Sequence, residues 1–174
     1  MERLYKYIDD CESGRIPACL HTRNAVKRFK RDRERTDLDF RESEVSRVLY
    51  FISQLRHFTG QHSGKRFELE PWQVFIIANI YGFYWKGTQQ RRFQTAYIEV
   101  ARKNGKTALC SALGLYHLIA DGEDAAEVLI AANSKEQAKI CYNMTAKFCK
   151  GFDPGGDYLR RFRADILFDK TDSM

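Results

Sequence analysis

The tripeptide Gly105-Lys106-Thr107 is the part of this sequence whose residue types most clearly predict chemistry. A glycine lets the backbone approach an anion closely, the lysine neutralises phosphate charge, and the threonine hydroxyl is a ligand type that suits Mg²⁺. The three residues match the end of the phosphate-loop pattern G-x-x-x-x-G-K-[ST], although Val100 occupies the position of the first glycine. They predict binding of a nucleotide phosphate, but Gly-Lys-Thr alone is a weak signal.

Other polar side chains near this tripeptide could act on the same nucleotide. Arg102 and Lys103 lie inside the loop, where an inward-pointing cation would stabilise charge on a transferred phosphoryl group. The alternative is a solvated basic turn. Gln73 lies upstream in a Pro-Trp-Gln stretch, and a glutamine amide can pair with the N6/N7 edge of adenine. On its own, Gln73 is more simply a polar residue near a helix start.

The elements on either side of the loop predict how it is positioned. Residues 96–100 form a nearly continuous apolar run that predicts a buried central strand, and residues 107–120 predict a helix. Residues 128–133 predict a second buried strand, followed by a helix capped by Ser134. This order predicts an α/β fold with a parallel sheet of the P-loop NTPase type, flanked by helices. Asn133, Ser134 and Gln137 then fall near the ligand-binding edge of the sheet.

Upstream of the predicted sheet the pattern is helical. Apolar residues recur at helical spacing from Val45 to Leu55, and Asp39 with Glu42 three residues later predicts a capping box at the start of that helix. Pro71 suits the first turn of a further helix that is apolar on most of its circumference and is therefore buried. A short strand is expected at residues 166–168.

The N-terminal region, residues 1–38, is highly charged and predicted to be helical. Seven basic residues lie between Arg23 and Arg35, with few apolar anchors among them. This pattern favours a solvated helical face over a dedicated nucleic-acid arm.

Bulk composition narrows the function classes. The chain has 174 residues, enough for a domain with a real core, and its formal charge of +6 is compatible with an anionic partner. Five cysteines without a CxxC pair, and scattered histidines, predict reduced thiols and argue against a zinc site. The charged N-terminus lacks a signal-peptide core, and the longest apolar run is too short to span a bilayer. We expect a soluble, intracellular protein.

Three blocks in succession resemble one known family. The segments "RFELEPWQVFIIANIYGF", "RRFQTAYIEVARKNGKT" and "VLIAANSKEQAKI" are similar, in this order, to the N-terminal ATPase domain of the large terminase subunit of tailed bacteriophages. Members of this family are the motors that package viral DNA into proheads. The resemblance covers roughly residues 39–150, and residues 1–38 resemble the variable helical N-terminal region of the family.

The resemblance implies roles for the loop residues. The family has a phosphate loop without the first glycine, of the form small-Arg-x-x-Gly-Lys-Ser/Thr, and the ligands it implies are ATP and Mg²⁺. In this chain the loop consists of Ala101, Arg102, Lys103, Asn104, Gly105, Lys106 and Thr107. By resemblance, Arg102 senses or stabilises the γ-phosphate, and Lys106 and Thr107 hold phosphate and magnesium. Gln73 is the glutamine on the adenine side.

The resemblance also implies partners and a location. The partners are double-stranded DNA, the portal protein and the small terminase subunit, with assembly into a homo-oligomer when the protein is intact and no contact with a membrane. The location is the host bacterial cytoplasm.

One departure from the family is at the carboxyl-terminal end. The family has a Walker B strand that ends in Asp-Glu, but the nearest stretch here, "ADILFDK", has Lys170 after Asp169. We therefore expect residues 39–174 to be the N-terminal part of the ATPase domain, without its Walker B half or a nuclease domain. The intact family member is an ATPase and nuclease. For this chain we expect ATP binding with little or no hydrolysis.

Two alternatives stay open from the sequence. One is a fragment of a helicase-like DNA translocase, although such enzymes usually keep a glycine or small residue at the position of Val100. The other is a non-enzymatic DNA- or protein-binding module derived from a degenerate ATPase, with the basic N-terminal helix as its contact.

Overall fold

The structure is a computed structural model that describes residues 1–57, 64–162 and 165–168. The helices of this part of the chain are α1 Glu2–Glu12, α2 Leu20–Glu34, α3 Glu42–Gln54, α4 Pro71–Gly82, α5 Lys106–Ile119 and α6 Lys135–Phe152. The strands are β1 Leu38–Phe40, β2 Phe83–Trp85, β3 Leu159–Arg161 and β4 Ile166–Phe168. No helix among these residues is long and apolar enough to cross a membrane.

The chain divides into two compact units. Unit 1 consists of Met1–Tyr50 and Leu69–Ile98, and unit 2 consists of Phe51–Glu68 and Glu99–Met174. Residues 1–38 lie within unit 1, and the predicted division of the chain at residue 38 stays a prediction.

Unit 1 has an aromatic core. Phe29 of α2 packs against Phe40, Phe75 and Phe83 with ring centroids 5.3, 5.8 and 5.2 Å away, and Tyr7 of α1 reaches Phe75 at 5.5 Å. Strands β1 and β2 pair antiparallel beside these rings. Such ring pairs contribute packing energy beyond the apolar area they bury, so this cluster fixes α1, α2 and α4 against the strand pair.

Helix α4 begins as the sequence predicts. Pro71 is its first residue, where the missing N–H breaks no helical hydrogen bond. Most of its side chains are buried, in keeping with its all-round apolar surface. Helix α3 also buries the predicted apolar residues Val45, Val48 and Ile52.

The predicted capping box at α3 is wrong. Asp39 lies in β1 opposite Tyr84, so its backbone belongs to the strand pair and not to a helix start. The helix begins later, at Glu42, and the carbonyl of Arg41 accepts from the N–H of Val45 at 3.4 Å. The pairing with β2 explains the error, because that partner lies far along the chain.

Unit 2 is built on the pair α5 and α6. Ser111 Oγ donates to the carbonyl of Cys141 at 3.0 Å, which joins the two helices by a side-chain hydrogen bond. Phe148 of α6 packs against Phe67 with ring centroids 5.7 Å apart. Asp153 then closes the turn after α6. The predicted strand at 166–168 is confirmed as β4, which pairs antiparallel with β3.

The predicted parallel sheet is not confirmed. The sheets of the described residues are two antiparallel pairs, β1–β2 and β3–β4. Residues 96–100 and 128–133 carry no strand assignment, and they leave Tyr97 88% and Leu129 80% exposed. Their β-forming side chains favour an extended backbone, but a strand also requires a hydrogen-bonded neighbour, which local sequence does not supply. The mixed α/β character itself holds.

Candidate functional site

The loop of residues 101–105 lies exposed before α5 and has an unusual backbone. Lys103 has φ 69° and Gly105 has φ 73°, so two left-handed residues stand two positions apart. For a lysine this region is uncommon and costs backbone energy, whereas a glycine enters it freely. Backbone nests that bind anions also use left-handed residues next to right-handed ones. The conformation suits an anion.

The side chain of Asn104 braces this loop from within. Its Nδ2 donates to the carbonyl of Ala101 at 3.2 Å and, at 3.4 Å, to that of Arg102. Both acceptors are thereby engaged inside the turn. Asn104 therefore shapes the loop, and the sequence motif alone assigned it no such role.

The N-terminus of α5 offers free donors to the same region. Gly105 is the N-cap residue and, as a glycine, has no side chain that could supply a capping oxygen to the first-turn N–H groups. At α6, by contrast, Ser134 Oγ accepts from the N–H of Gln137 at 3.3 Å, as the sequence predicts. The uncapped N–H groups and the positive end of the α5 dipole favour negative charge beside Gly105.

Lys106 and Thr107 open this helix at the edge of a cavity in unit 2. The cavity has a volume of about 940 Å³ and is lined by residues of α5, α6 and the segment 127–132. Lys106 is exposed and Thr107 is half-buried. The ammonium group of Lys106 also acts on Cys110 one turn later: burial raises the pKa of that thiol, the neighbouring Cys141 raises it further, and Lys106 lowers it.

Arg102 is exposed in the loop, and no acidic partner holds it within the described part of the chain. Its guanidinium is thus available to an anion. The predicted site residues 101–107 lie together because they are consecutive in the chain.

Gln73 has a structural partner of its own. It belongs to unit 1, whereas the loop belongs to unit 2, and it is only 4% exposed. Its Oε1 accepts from the backbone N–H of Glu70 at 2.8 Å, one half of a capping box at the start of α4. The spacing Glu70-Pro71-Trp72-Gln73 contains the signal for this role, a capping residue followed three positions later by glutamine, and sequence reasoning missed it.

The donor set of the loop fits a magnesium–nucleotide complex. Mg²⁺ prefers oxygen ligands, keeps several waters, and is commonly held by few protein groups together with substrate phosphates. Thr107 places a hydroxyl on the first turn of α5, beside uncapped N–H groups. No cluster of three or more His, Cys, Asp or Glu side chains that could hold a metal by themselves occurs in the described ranges.

Comparison with known proteins gives a consistent result. Residues 71–153 match the family model "Terminase large subunit, ATPase domain". The large subunit of the terminase of Enterobacteria phage HK97 is 33% identical over 103 residues, which are 58% of this chain and 19% of that protein. The crystal structure of the HK97 bacteriophage large terminase is similar in fold, with a TM-score of 0.60 at 24% identity, over 74% of this chain and 26% of that chain. The chain thus spans a minor part of each relative.

Proposed function

We propose that loop 101–107 binds ATP with Mg²⁺, because residues 71–153 match the ATPase-domain family of terminase large subunits. The observation that carries the proposal is the backbone of Gly105, left-handed and leading into a helix without a side-chain cap. Phosphate-binding loops use this combination, since free N–H groups and the helix dipole both favour an anion.

Each loop residue has a part in the proposed binding. The first-turn N–H groups of α5 would donate to phosphate oxygens, and Lys106 would neutralise the β and γ phosphates. Thr107 would supply one oxygen ligand to Mg²⁺, which when bound neutralises charge between two phosphates. Arg102 would stabilise charge on the γ-phosphate, with Ala101, Lys103 and Asn104 shaping the turn. Gln73 would contact the adenine, a role taken from the family resemblance.

The wider role is that of a DNA-packaging motor. In this proposal the chain forms the nucleotide-binding part of a terminase large subunit, which acts on double-stranded DNA in the host bacterial cytoplasm. Its further partners would be the portal protein, the small terminase subunit and further copies of itself. Slow or absent ATP hydrolysis by these 174 residues is part of the proposal, and a phosphate-release assay tests it. A turnover rate in the usual enzyme range of about 1 per second or more would contradict it.

Ligand-induced stabilisation tests ATP binding directly. A ligand that binds only the folded state at about ten times its Kd adds about 1.4 kcal/mol to the free energy of unfolding. For a chain of this size that corresponds to a rise in Tm of about 3 to 5 °C, measured by thermal unfolding with and without Mg-ATP. We expect Lys106→Ala to lose most of this rise, because it removes the phosphate-neutralising charge.

A second lysine serves as the control. Lys147 is an exposed lysine of α6, in the same unit and outside the cavity lining. Lys147→Ala should keep the full Mg-ATP rise. An equal rise in Lys106→Ala and the unsubstituted chain would show that the loop does not bind the nucleotide.

A further inference from the structure

The basic residues from Arg23 to Arg35 divide into two groups in the structure, those with a partner and those without an effective one. In the first group, several are held by aromatic rings of unit 1. The guanidinium of Arg28 lies 5.0 Å from the ring centroid of Phe93, and that of Arg33 lies 4.7 Å from the centroid of Phe40. Arg28 is also partly buried, and burial lowers its pKa. These side chains serve the packing of α2.

Others in this group are neutralised by carboxylates. Lys30 Nζ lies 2.9 Å from the carboxylate of Glu12 on α1, and that contact raises the lysine pKa. Arg35 binds Asp37 through two nitrogens, at 2.9 and 2.5 Å. Their charges are largely offset where they stand, so they add little to the attraction of a distant anion.

The second group is Arg23, Lys27 and Arg31, which are exposed. The described part of the chain shows no acidic partner for Arg23 or Lys27. Among the same residues, Arg31 has only a long contact, 3.7 Å, with Asp32, whose buried carboxylate also contacts Arg92. Three cations therefore remain without an effective counter-charge.

The spacing of these three residues places them on one face. Residues four apart on a helix are displaced by about 40° around the axis and by about 6 Å along it, so the row covers about 12 Å. Duplex DNA carries about one negative charge per 1.7 Å of axis, so a row of this length faces several phosphates. We call Arg23, Lys27 and Arg31 the basic row.

We propose that the basic row of α2 binds the phosphate backbone of double-stranded DNA. The choice of duplex DNA as the anion rests on the proposed function, whereas the surface itself rests on exposure, spacing and missing counter-charges. The contact carries no sequence information, since phosphate contacts position a protein on DNA without reading bases. It holds the DNA at unit 1, independently of the nucleotide loop in unit 2.

Salt dependence of DNA binding measures the number of contacts. Fluorescence anisotropy of the full chain with a labelled duplex of about 30 base pairs, in a salt series, gives the slope of log K against log[salt]; each phosphate contact adds about −0.9. Three contacts predict an affinity loss of about 40-fold between about 50 and 200 mM salt from the basic row alone. We expect Arg23→Gln/Lys27→Gln/Arg31→Gln to reduce the slope by about 2.7, and Arg23→Lys/Arg31→Lys to retain it.

A matched triple variant separates the row from net charge. Lys6, Arg15 and Lys30 are also exposed, but each is paired with Asp10 or Glu12. Lys6→Gln/Arg15→Gln/Lys30→Gln removes the same charge and should change the slope by less than about 1. Circular dichroism melting establishes that all variants fold.

Four outcomes would overturn the proposal. These are absence of salt-dependent duplex binding by the unsubstituted chain, equal loss in the two triple variants, no loss in the basic-row variant, and binding of a heparin fragment but not of the duplex. The Mg-ATP rise in Tm, measured on the same samples, should be unaffected by the basic-row substitutions. If Mg-ATP does not raise the Tm of the unsubstituted chain, the nucleotide proposal is refuted, but the proposed DNA-binding surface is not.

Discussion

The Gln73 side chain has enough hydrogen-bonding groups for two roles, a helix cap and an adenine contact. Its Oε1 is engaged by the N–H of Glu70, while its Nε2 has no hydrogen-bond partner within the described residues. An adenine contact requires the amide to donate to N7 and accept from N6, so the capping bond leaves the donor group and the second lone pair of the oxygen. The helix cap and the proposed adenine contact are therefore compatible in hydrogen-bonding capacity.

Gln73→Ala distinguishes the two roles. Loss of the cap hydrogen bond should lower the free energy of unfolding by about 0.5–2 kcal/mol, measured by urea unfolding. If Gln73 also contacts adenine, the preference for Mg-ATP over Mg-GTP, measured as the ratio of Kd values, should fall toward one. A stability loss with an unchanged ratio would leave only the structural role.

At the scale of elements, the close approach of α4 to β1 depends on a glycine. Gly82 ends α4, and a Cβ there would lie 2.9 Å from Cδ2 of the Phe40 ring. That ring is itself confined by Phe29 and Phe83, at centroid distances of 5.3 and 4.8 Å. It therefore has little freedom to move aside.

We predict that Gly82→Ala destabilises the protein by about 1–3 kcal/mol, because overpacking forces shifts in a filled core. Urea unfolding monitored by circular dichroism gives the value. Gly114→Ala is the control, since its Cβ would make an ordinary contact 3.6 Å from Val128 and alanine favours the helix by about 0.5–1 kcal/mol. A gain in stability at both positions would mean that Phe40 is not confined.

At the scale of the whole molecule, carboxylates set the stability at low pH. Hydrogen bonds from Lys6 and Arg15 lower the pKa of Asp10, and the Arg35 guanidinium lowers that of Asp37. Backbone N–H groups, first that of Tyr158, lower the pKa of Asp153. Because these values are lower in the folded chain, the stabilisation is complete above the unfolded pKa of about 3.9 and is lost as pH falls through the folded values.

We therefore expect Tm to fall as the pH decreases below about 4, measured by calorimetry between pH 7 and about pH 2. Asp153→Asn is the informative variant. Asparagine keeps an acceptor oxygen for the N–H groups of Tyr158 and Leu159, which lie 2.9 and 2.8 Å from the Asp153 carboxylate, but it does not titrate. Its acid-induced loss should be smaller than that of the unsubstituted chain. A loss of equal size would assign the acid sensitivity to other carboxylates.

Local sequence by itself determined the features that depend on a few neighbouring residues. Pro71 starts α4 because its missing N–H costs nothing in a first turn, and Ser134 caps α6 because its hydroxyl reaches an N–H three residues on. Gly105 before α5 belongs to the same class, since a residue without a Cβ adopts the left-handed backbone at no steric cost. The family resemblance was readable for the same reason, because these local features recur in order.

Only the tertiary structure decided which partners meet. Asp39 has the residue type of a helix cap, but its backbone lies in β1 and pairs with β2, which is far along the chain. Residues 96–100 have β-forming side chains, yet a ladder needs a neighbour that their own sequence does not contain. The basic row of α2 could be recognised only from the structure, where Phe93 contacts Arg28 and Glu12 pairs with Lys30. Each of these outcomes depends on contacts between distant segments, which a local pattern of residues does not encode.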